Sequence, residues 1–162
     1  MILGRKRIEE LVKTRGLITN YDASCLGGAG YDLRAAKAYA ITSHSYLGVS
    51  ERKTPKVVEL TDDVMILRPG SFILAETLEA VNMPEDVLAR ILPRSSVFRM
   101  GCVLATAVVD PGYHGTLTMG LTNIGGHDFV FERNARIAQI IFERVEGETS
   151  LYDGKYQGGK VV

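Results

Sequence analysis

Arg94-Ser95-Ser96-Val97-Phe98-Arg99, followed after an apolar run by Val108-Val109-Asp110-Pro111-Gly112-Tyr113-His114-Gly115, is the stretch on which the reading of this chain turns. The first piece sets two arginines and two hydroxyls within six residues. That composition suits an anion with several oxygens, because guanidinium forks grip phosphate in a bidentate way. In the second piece Asp110 ends an alternating apolar stretch, Pro111-Gly112 forces a tight reversal, and Tyr113 begins the returning strand. The product is a β-hairpin carrying an acid and an aromatic ring. An anion cradle joined by a short strand to a carboxylate and a flat ring meets the needs of a nucleoside triphosphate: charge at one end, sugar and base at the other, and water activation between.

Outward from the hairpin the chain reads as short strands broken by Pro and Gly. Val57–Leu60, Met65–Leu67, Phe72–Val81 and Val87–Leu92 precede it, with turns at Arg68-Pro69-Gly70 and Asn82-Met83-Pro84. Cys102–Val109 leads into it, and Thr116–Asn123, Phe129–Phe131 and Ile137–Val145 follow. The β-branched isoleucines of Arg136–Arg144 favour a strand over a helix. At the start, Ile8, Leu11 and Val12 fall at helical spacing, and Gly16 is the expected stop. Residues 17–28 read as loop, Tyr31–Ala36 alternates as a strand, and residues 42–56 form an exposed connection or irregular hairpin. Many close-spaced strands after one helix predict a mainly β fold, a distorted jelly-roll or β-sandwich of short strands.

Composition sets the limits. The 162 residues are 46% hydrophobic, which predicts one domain over 1–162, with residues 1–16 as an N-terminal helix and 147–162 as a C-terminal tail. Lys+Arg and Asp+Glu are equal at 19 each, so the chain lacks the basic footprint of sequence-independent nucleic-acid binding. A small anionic ligand held by a local arginine cluster fits better. Cys25 and Cys102 stand far apart and read as free thiols, and the absence of a signal-peptide core or a membrane-length apolar run predicts a cytoplasmic protein with no membrane partner.

Four segments together resemble the motifs of the trimeric dUTPase and dCTP deaminase superfamily: Ala29-Gly30-Tyr31-Asp32-Leu33, Pro93-Arg94-Ser95-Ser96, Val109–Gly115 and Arg136–Phe142, in matching order over about the whole chain. The opening helix and the closing Lys155-Tyr156-Gln157-Gly158 look more like the deaminase branch. The first motif is similar to the dUTPase form.

The branches differ in the catalytic groups they need. Deamination requires a carboxylate that delivers water to the pyrimidine and carries a proton to the departing amine. In the deaminase branch that glutamate follows the hairpin, and its position falls on Gly120 here. Alternation puts Thr116, Thr118, Gly120 and Thr122 on one face of the strand, so that face is expected to carry hydroxyls and a gap where the acid would stand. The His-x-Glu and Pro-Cys-x-x-Cys pattern of zinc deaminases is also absent. Hydrolysis of the triphosphate asks only for alignment, charge neutralisation and a carboxylate that orients water.

The resemblance therefore implies a dUTP diphosphatase in which water held by Asp110 attacks the α-phosphorus of dUTP, giving dUMP and pyrophosphate. It implies Arg94, Ser95, Ser96 and Arg99 as the phosphate cradle, Tyr113 packed on the deoxyribose, and Thr118 on the substrate face. Gln139 would support the site, and the 147–162 tail would lie over it, with Tyr152, Lys155 and Gln157 touching the triphosphate. Mg²⁺ would be held chiefly by the triphosphate and its waters, with Asp32 at most an outer-shell partner. A homotrimer with sites between subunits is the assembly implied. Singly, each residue also has a plain structural role. Asp110 sits in a common turn sequence, Arg94 and Arg99 can pair with acids such as Glu85, Tyr113 can be a core aromatic, and Gly120 can mark a bulge. The other function classes on this fold are a dCTP deaminase, alone or bifunctional, which would release ammonia from dCTP, and a regulatory protein that binds dUTP without turning it over.

Overall fold

Strand β1 (Tyr31–Ile41) sets the architecture because it belongs to both halves of the sheet. The computed structural model describes residues 1–162. The first part of β1 pairs with β12 (Arg136–Arg144), Tyr31 opposite Ile140 and Leu33 opposite Ala138. Its second part pairs with β6 (Phe72–Asn82) on one side and β4 (Val57–Leu60) on the other. Register shifts at Leu33/Arg34 and Ala35/Lys37 separate the two parts. Such bulges bend a strand and increase its twist.

The sheet order is β8 (Cys102–Ala105), β10 (His114–Asn123), β6, β1, β12, β7 (Val87–Pro93) and β9 (Val108–Val109), all antiparallel, with β4 added to β1. Two smaller pairs stand apart, β2 (Tyr46–Leu47) with β3 (Arg52–Lys53) and β5 (Val64–Leu67) with β11 (Phe129–Glu132). The curled sheet closes on one core of 34 buried apolar residues, giving a mainly β jelly roll. Helix α1 (Arg5–Arg15) buries Ile8 and Leu11, and Gly16 ends it in the left-handed conformation, φ 62°, with its N–H directed to the last-turn carbonyls.

Alternation decides what each strand offers the site. On β6 the side chains of Ile73, Ala75, Thr77, Glu79 and Val81 enter the core, while Leu74, Glu76 and Leu78 face outward, half-buried. On β10 Leu117, Met119 and Leu121 face inward, and Thr116 and Thr118 share the outer face with Glu76.

One expectation needs correction. Cys102–Val109 is not one strand. It breaks at Thr106-Ala107, where β8 leaves β10 and β9 joins β7 in the other half of the sheet. The Thr106 hydroxyl donates to the Ile91 carbonyl at 2.7 Å across this corner. All of Cys102–Val109 except Thr106 is apolar, so the sequence carries no periodicity that could show the corner. The segment after Arg94, to which the sequence reading assigned no element, forms a short helix, α2 (Ser95–Arg99), that buries Val97.

Candidate active site

The hairpin between β9 and β10 is fixed by its backbone. The Tyr113 N–H donates to the Asp110 carbonyl at 3.2 Å, and Met83 exchanges two backbone hydrogen bonds with Gly112 and Tyr113. Gly112 takes φ 77°, which a side chain rarely adopts. The turn thereby leaves the Asp110 side chain exposed and tucks the Tyr113 ring inward, 7% exposed. Burial foremost, with Tyr152 and Glu76 adding, pushes the Tyr113 hydroxyl up to about 12, so it stays a neutral donor, directed to the Thr116 carbonyl.

A cavity of about 220 Å³ opens beside the hairpin, lined by Asp110, Tyr113, Thr116, Thr118, Tyr152 and Ile91 among others. The tail closes one side. Tyr152 meets the Tyr113 ring edge-on at 5.4 Å, and its N–H donates to the Pro111 carbonyl at 2.8 Å. The Gln157 amide spans the hairpin backbone: the His114 N–H donates to Oε1 at 3.0 Å, and Nε2 donates to the Gly112 carbonyl at 3.0 Å. Lys155 lies over the Tyr156 ring, 4.5 Å from its centre.

Gly115 makes this closure possible. At φ 135° its missing side chain leaves room for Gly159, whose nitrogen lies 2.4 Å from where a Cβ would stand. Gly115→Ala therefore forces the tail backbone off the hairpin. The expected result is faster proteolysis after residue 147, with the core's melting temperature lowered far less than the tail's protection; a tail as resistant as wild type would contradict the packing described.

The arginine-rich group forms a second centre. Arg94 Nε contacts Asp32 Oδ2 at 3.1 Å, and Arg136 approaches the same oxygen at 3.8 Å. Arg94 thus pairs with Asp32, not Glu85, because β12 lies between β1 and β7, with Ala138 opposite both Leu33 and Pro93. Gln139 stands opposite Asp32 and packs on the backbone at Gly30, where an added Cβ would lie 3.1 Å from its Cγ. Ser95 and Ser96 open α2, and Arg99 rests against the Phe98 ring at 5.6 Å. None of Asp32, Arg94, Ser95, Ser96, Arg99 and Gln139 lines the hairpin cavity. The expected site residues therefore fall into two groups within one chain, with Asp110, Tyr113, Thr118 and Tyr152 at the cavity, Gln157 bracing its hairpin and Lys155 on the tail that covers it.

Position 120 also differs from expectation. Gly120 is buried rather than beside a gap, since the Phe72 ring covers it: a Cβ there would meet Phe72 Cε2 at 2.7 Å and Ala105 Cβ at 3.3 Å. Sequence reasoning missed Glu76, which shares this face. Its Oε1 accepts from the Thr116 hydroxyl at 2.8 Å and its Oε2 from the Tyr39 hydroxyl at 2.6 Å. Burial, then the bond to Glu76, pushes the Tyr39 hydroxyl up. Glu76 differs in parity from Glu79 along β6, which places the two acids on opposite faces of the strand. No group of three or more His, Cys, Asp or Glu side chains is placed to hold a metal ion, and no helix is long and apolar enough to cross a membrane.

The family model described as dCTP deaminase-like matches residues 2–145, and the chain belongs to that family. Among curated relatives, a probable deoxyuridine 5'-triphosphate nucleotidohydrolase of Aeropyrum pernix is 36% identical over 146 residues, covering 88% of this chain and 91% of that one. A dCTP deaminase of Pyrobaculum islandicum is 31% identical over all of this chain and 94% of its own. Among solved structures, the 2'-deoxycytidine 5'-triphosphate deaminase of Agrobacterium tumefaciens superposes with a TM-score of 0.71 at 20% identity over 89% of this chain and 48% of that chain. The native dUTPase of EIAV gives 0.54 at 15% identity over 86% of this chain and 92% of its own. At these identities the structures support the fold. The two curated names leave hydrolysis and deamination to be separated by the site.

Proposed function

We propose that this chain is a dUTP diphosphatase, hydrolysing dUTP to dUMP and pyrophosphate. One observation carries the choice over deamination: the place where a deaminating carboxylate would project holds Gly120 sealed under Phe72, whereas Asp110 stands exposed at the cavity mouth. The one acid on the same β6–β10 face, Glu76, has both oxygens engaged by Thr116 and Tyr39 and stands opposite Thr118, while Leu74 is the residue opposite Gly120.

The cavity's size supports a division of labour. At about 220 Å³ it is smaller than the roughly 300–1,000 Å³ typical of pockets that enclose a whole ligand, so it suits the base and sugar with the triphosphate outside. Tyr113 presents a neutral ring for the deoxyribose. Asp110 accepts a hydrogen bond from water and aims its lone pair at the α-phosphorus, in line with the departing pyrophosphate. Arg94, Arg99, Ser95 and Ser96 lie outside this chain's own cavity. The reading is completed by a homotrimer in which those groups from a neighbouring copy meet the phosphates.

Mg²⁺ is part of the proposal. The chain offers no cluster of acids to cage it, and the Asp32 carboxylate already lies between Arg94 and Arg136, which fits a cation carried by phosphate oxygens and water. Bound there, it would supply charge neutralisation on the phosphates.

The test incubates the protein and Mg²⁺ separately with dUTP, dCTP, dTTP and UTP, measuring pyrophosphate and ammonia. Pyrophosphate from dUTP alone is expected. Ammonia from dCTP, or no product from dUTP, would overturn the reading.

A further inference from the structure

Two of the three nitrogens of the Arg94 guanidinium are already engaged. Nε meets Asp32 Oδ2 at 3.1 Å and Nη1 donates to the Arg136 carbonyl at 3.3 Å, which leaves Nη2 without a partner in the chain. A second guanidinium stands by the same carboxylate oxygen, Arg136 Nη1 at 3.8 Å, beyond hydrogen-bonding reach. One negative charge thus faces two positive ones. A planar guanidinium grips a carboxylate as a fork, so either arginine is built to take Asp32 for itself.

Arg136 is held off by a separate segment. Ser24, in the single 3-10 turn Ala23–Cys25, accepts from Arg136 Nη2 through its hydroxyl at 2.9 Å and from Nη1 through its carbonyl at 3.2 Å. The turn is itself anchored to the core. Asp22 Oδ1 accepts from the Ser24 N–H at 2.8 Å, Asp22 Oδ2 stands 3.5 Å from Arg34 Nη1, and Arg34 Nε meets the buried Glu79 at 2.6 Å. The Ser24 N–H foremost, then the Ser24 hydroxyl, holds the Asp22 carboxyl below its ordinary range, with Arg34 and Arg136 adding. A continuous line of polar contacts therefore runs from a core acid, through an exposed serine, to the pair of arginines beside Asp32.

We propose that Ser24 is a positioning residue for the phosphate cradle: by occupying the Arg136 fork it keeps Asp32 for Arg94, and so presents Arg94 Nη2 to a phosphate oxygen. The proposal rests on the reading of Arg94 as a phosphate contact. Without the Ser24 hydroxyl, Arg136 loses half of its fork's anchorage and can close on Asp32. Arg94 then loses the contact that sets its orientation. The base and sugar end of the ligand is untouched, because neither Ser24 nor Arg136 lines the hairpin cavity.

The test uses two probes, inorganic tripolyphosphate for the anionic end and deoxyuridine for the other, and measures their binding to the full chain by calorimetry. The proteins are wild type, Ser24→Ala, Ser24→Thr, Arg136→Met and the Ser24→Ala/Arg136→Met double variant. Ser24→Ala is expected to weaken tripolyphosphate by about five-fold and leave deoxyuridine within about two-fold of wild type. Ser24→Thr, which keeps the hydroxyl, restores tripolyphosphate binding. Ser24→Ala added to Arg136→Met weakens it no further, since Ser24 then has no fork to hold. Unchanged tripolyphosphate binding in Ser24→Ala, equal weakening of both probes, a Ser24→Thr protein as weak as Ser24→Ala, or additive effects in the double variant would overturn the proposal. So would a wild-type protein that does not bind tripolyphosphate. A wild-type protein that binds it, with the variants as expected, but leaves dUTP intact overturns the diphosphatase reading alone.

Discussion

Asp110→Asn is expected to lower kcat for dUTP by about a thousand-fold while leaving nucleotide affinity within a few-fold. The substitution keeps the shape and hydrogen-bonding reach of the side chain but replaces a charged acceptor with an amide that cannot draw a proton from water. It leaves the fold alone, because the turn is held by the backbone bond from the Tyr113 N–H to the Asp110 carbonyl, and the side chain itself is exposed. Loss of turnover with binding retained separates orientation of water from capture of substrate. Normal turnover in this variant would remove Asp110 from the mechanism. Loss of binding together with turnover would make it a substrate contact instead.

Arg34→Met is expected to destabilise the chain by about 3–5 kcal/mol, the largest effect on stability foreseen for one substitution here. Glu79 is fully buried. Its carboxylate receives the Arg34 Nε at 2.6 Å, the Arg34 backbone N–H at 2.9 Å and the Tyr31 hydroxyl at 3.2 Å. The same guanidinium donates to the Asn20 carbonyl at 2.6 Å and approaches Asp22 at 3.5 Å, tying the segment before β1 to the sheet. Methionine keeps the packing stem and removes the charge, so the carboxylate is left in the core without its counter-ion. The urea midpoint reads the loss. A companion Arg34→Met/Glu79→Met variant should recover much of it, since the uncompensated charge is then gone; a single variant as stable as wild type would show that the pair is not a buried ion pair in solution.

Glu76 and Glu79 show what the sequence could and could not convey. Both interrupt the same apolar run, and each looks like an isolated acid in a strand. Parity along β6 places them on opposite faces, but parity does not say which face is core. That depends on which strands lie beside β6 and on the curl of the sheet, which no local pattern encodes. The hairpin was legible because Asp-Pro-Gly-Tyr is a local signal: turn chemistry acts within four residues. The stop at Gly16 was legible for the same reason.

The misreadings are non-local. The strand written through Cys102–Val109 breaks because its two ends find partners in different halves of the sheet. The gap foreseen at Gly120 vanishes because Phe72, far earlier in sequence but adjacent across β6 and β10, lays its ring there. The separation of Arg94, Asp32 and Gln139 from the hairpin cavity is likewise a matter of strand placement, since Asp32 is on β1, Gln139 on β12 and Arg94 just past β7, whereas β10 carries a wall of the cavity. Sequence motifs identified groups suited to phosphate and to water; only the fold could show that one chain keeps them in two places.

The account stands on water being aimed at the α-phosphorus. Hydrolysis of dUTP in water enriched in heavy oxygen, with the products separated and weighed by mass spectrometry, tests that step directly. The label is predicted in the phosphate of dUMP, with none in pyrophosphate. Label in the pyrophosphate would place the attack on the β-phosphorus and contradict the role given to Asp110.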